Sequence, residues 1–393
     1  MKLSINQKIL EKALSHANWI IEKKQTVPVL GYVLFRAYQE TGSLVITATN
    51  MDMTTIDTMQ CSVDESGSYC LPAILLYEIV RKIKPGSDVH FEFTRENNSI
   101  TVKSGKASFS IHHIDCDKFP PIASQEYPIS FSMNPKVLKK AIDISKVAML
   151  QDSSRFHLNG IHVHYDDDLP AGKLKFVATD LFRIACVSVI APSVAQNMIP
   201  AIMSKRTALE LIKLIDGVGD TDVLISISEN RVAFELKFSD AAKTEFSSRL
   251  VSGTFPDYRC ALDVSNDKIL IVNTADFIEA LERVSTVVTS STSAIKLTMN
   301  QDKLFLEGVS REFGSATDEI EASFNGFESF EICFNSKFLL DILRQIETPR
   351  VKLLLAESNS STLIEPTDAS EKSDIDMIFA IMPIEIVKDA DGS

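Results

Sequence analysis

The pattern of apolar and polar positions repeats three times along the chain. Short alternating stretches predict strands at Lys2-Leu3-Ser4-Ile5, Ile129-Ser130-Phe131-Ser132-Met133 and Ile269-Leu270-Ile271-Val272. Each runs into an asparagine and then into apolar residues at helical spacing. The spacing predicts helices over Gln7–Ile21, from Pro135 through Ala148, and from Asn273 through Val288. Asn6, Asn134 and Asn273 stand where an N-cap belongs, because the side-chain oxygen can accept from an otherwise unpaired backbone N–H. Pro135 suits the first helical position, where its missing N–H costs nothing.

Two further matches keep the same order. Strands ending in a polar turn occur at Leu44–Asn50, Leu174–Asp180 and, more weakly, Leu304–Ser310. Short helices are predicted around Leu76–Val80, Leu209–Ile212 and Leu340–Leu343, with breakers Pro85-Gly86, Gly217 and Pro349 after them. Alternating strands follow, as in Val89–Phe93 and Val223–Ile227, and each copy ends at Phe119-Pro120, Phe255-Pro256 or Met382-Pro383. A period of about 130 residues therefore accounts for the whole chain. The expected fold is α+β: three tandem copies of one unit, each with two helices and antiparallel sheets. The expected domains are 1–125, 128–258 and 267–393, with linkers near Pro120–Pro128 and Arg259–Lys268.

Length and composition agree: 393 residues suit two or three domains, and 45% hydrophobic with 24% charged residues is an ordinary globular balance. Apolar runs fall short of the ~18 residues a membrane span needs. The N-terminus carries no secretory pattern. Six scattered cysteines without a Cys-x-x-Cys pair fit a reducing compartment, so a cytoplasmic location is expected.

Charge changes the picture. With 40 Lys+Arg against 53 Asp+Glu the net charge is −13, which argues against bulk coating of nucleic acid. Yet the helices concentrate cations: Lys8, Lys12, Arg81, Lys82 and Lys84 in the first copy, then Lys136, Lys139, Lys140, Lys146, Lys205, Arg206 and Lys213 in the second. The third is poorer, with Arg283, Lys337, Arg344 and Arg350. Equivalent helices of a repeat should share one side, giving a locally basic face for sequence-independent phosphate contacts.

An enzyme reading has one candidate, His157, His162 and His164 beside Asp166-Asp167-Asp168. His162 and His164 share a strand face at a usable metal spacing. A plain strand followed by an acidic turn explains the same residues. No nucleophile elbow, catalytic carboxylate pair or phosphate-binding loop is visible, so no catalytic residue, cofactor, metal or ATP site is expected. The rival to a DNA-binding reading is a repeat-built scaffold that does not encircle DNA.

The chain closely resembles the bacterial DNA polymerase III beta subunits, the replicative sliding clamps. The resemblance is carried by Thr26-Val27-Pro28-Val29-Leu30-Gly31, Ser104–Ser110, Leu158-Asn159-Gly160, Ala178-Thr179-Asp180-Leu181-Phe182-Arg183, Phe255–Arg259 and Met382-Pro383. It implies a head-to-tail homodimer, a ring of six similar domains around double-stranded DNA, and a topological tether for the polymerase that acts through effective concentration. It also implies an ATP-driven clamp loader as partner. DNA would be approached by Lys24, Gln25 and Gln151, with Lys82, Lys136, Lys140, Lys205 and Arg206 on the basic face. A cleft for short linear motifs of the polymerase III alpha subunit, the clamp loader, other polymerases and repair proteins would be built by Leu158, Thr179, Leu181, Arg183, Ile184, Pro256, Phe338, Ser361, Met382, Pro383 and Ile384. Phe109 and Ile111 would meet Thr286 and Val287 of a second copy. The chain departs from the family pattern at Leu181-Phe182, Cys260 and Glu385, and in its tail past Ile386; these departures bear on the peptides the cleft prefers.

Overall fold

The computed structural model describes residues 1–22, 27–94, 99–122, 125–150, 155–166, 172–288, 293–310, 312–367 and 374–384. The first repeat runs β1 (Lys2–Asn6), α1 (Gln7–Ile20), β2 (Tyr32–Tyr38), β3 (Ser43–Thr49), β4 (Met53–Gln60), β5 (Ser62–Glu65), β6 (Gly67–Pro72), α2 (Ala73–Val80), β7 (Asp88–Thr94), β8 (Ser99–Ser104) and β9 (Ala107–His112). The second runs β10 (Ile129–Met133), α3 (Pro135–Ser145), β11 (Gly160–Asp166), β12 (Lys173–Thr179), β13 (Arg183–Ile190), β14 (Ala201–Ser204), α4 (Lys205–Ile215), β15 (Val223–Ile227), β16 (Arg231–Ser239) and β17 (Ala242–Arg249). A helical turn, α5 (Arg259–Leu262), falls in the segment read as a linker. The third repeat runs β18 (Lys268–Asn273), α6 (Thr274–Ser285), β19 (Ala294–Met299), β20 (Lys303–Ser310), β21 (Gly314–Phe324), β22 (Phe330–Asn335), α7 (Ser336–Leu343), β23 (Arg350–Leu355), β24 (Thr362–Pro366) and β25 (Ile375–Ile381). The long β21 corresponds to β4 and β5 together.

The three asparagines cap as their positions predict. Asn6 accepts from the Lys8 N–H at 3.0 Å, Asn134 from Lys136 at 2.9 Å and Asn273 from Asp276 at 3.1 Å. Asn335 caps α7 in the same way, accepting from Lys337 at 3.0 Å. The helices stop sooner than their apolar spacing suggests. α3 tightens into a 3₁₀ turn at Lys146–Ala148. α6 ends at Ser285, where Thr286-Val287-Val288 would crowd a further turn and Thr286 Oγ1 instead donates to the Arg283 carbonyl at 2.8 Å.

The chain forms two compact units. One comprises Met1–Lys139 with Pro192–Ile199 and Arg206–Val251. It holds a five-stranded sheet, β5-β1-β7-β8-β9, and an eight-stranded sheet, β10-β15-β16-β17-β4-β3-β2-β6. Leu10 and Leu14 of α1 and Leu76 and Val80 of α2 share a core with Phe35, Ile46, Phe91 and Val102. The other unit comprises Lys140–Ala191 with Pro200–Lys205 and Ser252–Ser393. Its single twelve-stranded sheet has the order β14-β11-β12-β13-β25-β24-β23-β18-β21-β20-β19-β22.

Each unit contains one junction between repeats, and both junctions use the same pair of strands. In the first, β4 pairs antiparallel with β17, Met59 opposite Ala242. In the second, β13 pairs with β25, Val189 opposite Ile375. The repeat also extends to side chains. The tenth residue after the cap asparagine bonds the same strand position in two copies: His16 Nδ1 lies 2.7 Å from Asp57 Oδ1, and Arg283 Nε donates to Asp318 at 2.8 Å. In the second copy those positions hold Ile144 and Val187, both buried.

Candidate functional site

The Leu44–Asn50 and Leu174–Asp180 matches end in one turn, built identically. Thr179 Oγ1 donates to the Arg183 carbonyl at 2.8 Å and accepts from the Leu181 N–H at 3.0 Å. Asp180 Oδ1 accepts from the Phe182 and Arg183 N–H groups at 3.0 and 2.9 Å. In the first repeat Thr49 and Asn50 make the corresponding bonds to Met51, Asp52 and Met53. The turn needs a left-handed residue at its tip: Leu181 has φ +75° and Met51 φ +78°. A non-glycine side chain is strained there.

In the second unit this turn forms one wall of a pocket of about 150 Å³. Seven of the eleven expected cleft residues line it: Thr179, Leu181, Arg183, Ile184, Pro256, Ser361 and Met382. The other four do not. Leu158 is core at 1% exposure; two residues on, Gly160 lets the chain pass β14, where a Cβ would sit 2.4 Å from the Met203 carbonyl oxygen. Phe338, Pro383 and Ile384 are half-buried, Phe338 against Arg183 and Phe182 of the pocket wall. Phe182, Asp257, Tyr258, Ala261 and Ala380 also line it. Phe182 and Tyr258 lay inside the recognised strings, while Ala261 and Ala380 carry no local signal.

Arg183 ties the wall together. Only 9% exposed, it donates through Nε to Asp180 at 3.0 Å and through Nη1 to Asp341 at 2.9 Å. Its guanidinium lies 4.3 Å from the centroid of the Phe338 ring. The rear wall is polar: Tyr258 OH is 2.8 Å from His164 Nε2, and His162 stacks on Phe255 at 4.7 Å between centroids. Burial raises the Tyr258 pKa. Burial, then the neighbouring His164, then Arg259 push His162 down to about 4, and burial also lowers His164. The two histidines thus belong to the cleft's support. Asp167 and Asp168 lie outside the described residues, and among those described no cluster of three or more His, Cys, Asp or Glu could hold a metal.

This burial has a pH consequence. A histidine near 6.5 when unfolded and about 4 when folded leaves the unfolded state holding more protons between those values, so stability rises with pH there. Stability is complete above about pH 6.5 and should fall by about 2 kcal/mol at pH 5. Urea midpoints at pH 5 and 7.5 should show this loss, and His162→Phe should flatten it; an unchanged slope in the variant would assign the loss elsewhere.

Lys24, Gln25 and Gln151 lie outside the described residues. The other expected DNA contacts are engaged with carboxylates: Lys82 with Glu78 at 3.9 Å, Lys136 with Asp220 at 2.8 Å, Lys140 with Glu347 at 2.6 Å and Arg206 with Glu22 at 2.5 Å. Lys205 is half-buried at the start of α4, its backbone N–H on the Asn159 carbonyl at 3.1 Å. Of the expected interface residues, Ile111 is core at 2% exposure and Phe109 packs at the edge of that core. Thr286 is exposed and Val287 half-buried.

Three α+β repeats joined strand to strand, carrying a cleft that can receive an extended segment, define a clamp-type docking protein. Family models of the DNA polymerase III beta subunit match its N-terminal domain at residues 1–123, its central domain at 132–257 and its C-terminal domain at 261–383. The chain belongs to this family, the beta sliding clamps, a non-catalytic processivity factor. The beta sliding clamp of Caulobacter vibrioides is 32% identical over 387 residues, covering 98% of this chain and all of the relative. That of Pseudomonas aeruginosa is 28% identical with the same coverage. The crystal structure of a Bartonella birtlesii sliding clamp bound to griselimycin aligns at TM-score 0.90 and 31% identity, over 98% of this chain and all of that one. A Caulobacter crescentus DNA polymerase sliding clamp aligns at 0.89 and 31%, with the same coverage. No helix among the described residues is long and apolar enough to cross a membrane.

Proposed function

We propose that two copies join head to tail into a ring of six repeats that encircles double-stranded DNA in the cytoplasm and tethers the replicative polymerase. The domains are 1–125, 128–258 and 267–393. The supporting observation is the junction rule. β4 pairs with β17 and β13 pairs with β25, so the next pair in the series is β21 with β9. Among the described pairings β9 bonds only β8, and β21 from Gly314 to Glu321 bonds only β20. Unpaired strand edges invite pairing with another chain, and a head-to-tail contact that closes gives a ring.

Lys24, Gln25 and Gln151, with Lys82, Lys136, Lys140, Lys205 and Arg206, contact phosphates. Carboxylate partners do not oppose this role. Exposed ion pairs are weak and exchange readily, so phosphate can replace a carboxylate without a tight grip, as sliding requires. Phe109, Ile111, Thr286 and Val287 line the contact between copies. The cleft takes short linear motifs of the polymerase III alpha subunit, the clamp loader and other polymerases and repair proteins, anchored by apolar side chains.

Protein loaded onto nicked circular DNA should remain bound and then dissociate when the circle is linearised. Equal retention on circular and linear DNA would favour the scaffold reading instead. For the cleft, Met382→Ala should weaken a polymerase C-terminal peptide by about tenfold in fluorescence anisotropy; unaltered affinity would remove Met382 from the site.

A further inference from the structure

A cavity of about 270 Å³ lies between α1 and the junction of β4 with β17, in the unit that does not hold the cleft. Ile9, Ala13, Met59 and Phe238 give it apolar walls. Asp57 lines it too and is 3% exposed. Its Oδ1 is met twice, by Thr244 Oγ1 donating at 2.6 Å and by His16 Nδ1 at 2.7 Å. Its Oδ2 is buried and has no hydrogen-bond donor among the described residues. The repeat does not demand this polar floor, because the second copy buries Ile144 and Val187 at the positions of His16 and Asp57. A buried carboxylate oxygen left unmet is costly, so the cavity calls for a donor.

The rim is cationic. Lys12 Nζ lies 3.5 Å from the Phe238 ring centroid and donates to the Gly217 carbonyl at 3.1 Å. Burial lowers the Lys12 pKa, and Asp57 pulls it the other way. Lys8 also lines the cavity and is exposed. Lys243 is already shared by Glu235 and Glu245.

Several ligand chemistries compete for this space. A metal ion would find too few ligands: among the described residues no group of three or more His, Cys, Asp or Glu could hold one. An organic cation would reach Oδ2 but lie beside two ammonium groups. A purely apolar molecule would leave Oδ2 unmet. A molecule with a donor at one end and a carboxylate at the other satisfies floor and rim together. A carboxylate is also a stronger partner for Lys12 than a ring face and one carbonyl. Helix α1 sets the length. Lys8, Lys12 and His16 are four-residue steps of about 6 Å each, the reach of one para-substituted ring.

We propose that this cavity binds a small aromatic acid with a hydroxyl para to its carboxylate arm. The hydroxyl donates to Asp57 Oδ2, the ring packs on Ile9, Met59 and Phe238, and the carboxylate pairs with Lys12 and Lys8. The site is separate from the peptide cleft and does not rest on that reading.

The only tryptophan of the chain, Trp19, packs against His16 at 5.3 Å between ring centroids, so its emission reports on the floor. The full-length protein is titrated with 4-hydroxyphenylacetate, phenylacetate and tyramine, with excitation beyond the phenol band and ligand-observed NMR in parallel. The hydroxy acid should bind about tenfold more tightly than phenylacetate, which lacks the donor, and than tyramine, which reverses the charge. Lys12→Met should bring the hydroxy acid and tyramine within about twofold and keep the preference over phenylacetate. His16→Ile with Asp57→Val, the residues of the second copy, should instead erase the preference over phenylacetate. Circular dichroism checks that both variants fold, and Lys12→Met tests the rim even if the floor variant does not. Equal affinity for phenylacetate, a preference for tyramine, or a hydroxyl preference that survives the floor variant would overturn the proposal. So would a titration in which neither the emission nor the ligand NMR signals respond.

Discussion

Phe109→Asp should leave the protein monomeric in solution, at 43.6 kDa rather than twice that mass. The two junctions within the chain fix the expected register of the third. Ala242 opens β17 after a two-residue turn and meets Met59; Ala107 opens β9 after the corresponding turn at Gly105-Lys106. Met59 lies opposite Leu44, as Ile320 lies opposite Leu304. Ala107 therefore meets Ile320 of the second copy, and two residues on Phe109 meets Asp318. The equivalent pair inside the chain is Thr244 with Asp57, whose hydroxyl-to-carboxylate bond is 2.6 Å. An aspartate at 109 would set two carboxylates directly opposite, a destabilising arrangement on neighbouring strands, and would desolvate a charge next to Val287. The dimer dissociation constant should rise at least about a hundredfold. Retention on circular DNA should vanish with it. Val287→Asp should act the same way from the other side of the contact. Light scattering that still gives a dimer for both variants would sink this interface.

Arg183→Met should cost about 2–3 kcal/mol of stability and abolish peptide binding. The guanidinium is nearly buried between two carboxylates and an aromatic ring. Its loss leaves Asp180, 8% exposed, without its cation, although Oδ1 keeps its two backbone N–H donors. Asp341 is 44% exposed at its side chain and recovers water, so the cost lies below that of a fully buried broken pair. The turn that presents Leu181 and Phe182 then loses its tie to α7. Unfolding should be followed by circular dichroism, because the single tryptophan, Trp19, belongs to the other unit. A shift under about 0.5 kcal/mol would show that the guanidinium does not anchor the wall. By contrast, neutralising Lys136 should leave stability nearly unchanged, since it and Asp220 are both highly exposed.

Much of this was legible residue by residue. The capping asparagines, the alternating Ile129–Met133 strand and the Thr-Asn and Thr-Asp turns are short-range devices, decided by bonds within a few positions along the chain. Helix ends were less legible, because apolar spacing continues into Thr286-Val287-Val288 after the backbone has left the helix. Of the cleft, the residues on the Thr179–Ile184 turn and near Pro256 could be named from their strings. Their assembly into one pocket with Ala261 and Ala380 could not, since those residues are far apart in sequence and ordinary in type. The basic helices were visible as composition. Their neutralisation by Asp220, Glu347 and Glu22 was not, because those acids arrive from other elements. Alternation on an edge strand shows that Phe109 and Ile111 share a face and not what covers it; Ile111 is buried within its own unit and Phe109 packs at the edge of that core.

The order of caps, strands, turns and helices, three times over, follows from the sequence by itself, because each depends on neighbours a few bonds away. Only the tertiary structure decided which strands carry one repeat into the next, which edges are left open and which charges are already spent. The strand junctions pair residues more than a hundred positions apart, and most of the ion pairs join separate elements, where local preference has no reach.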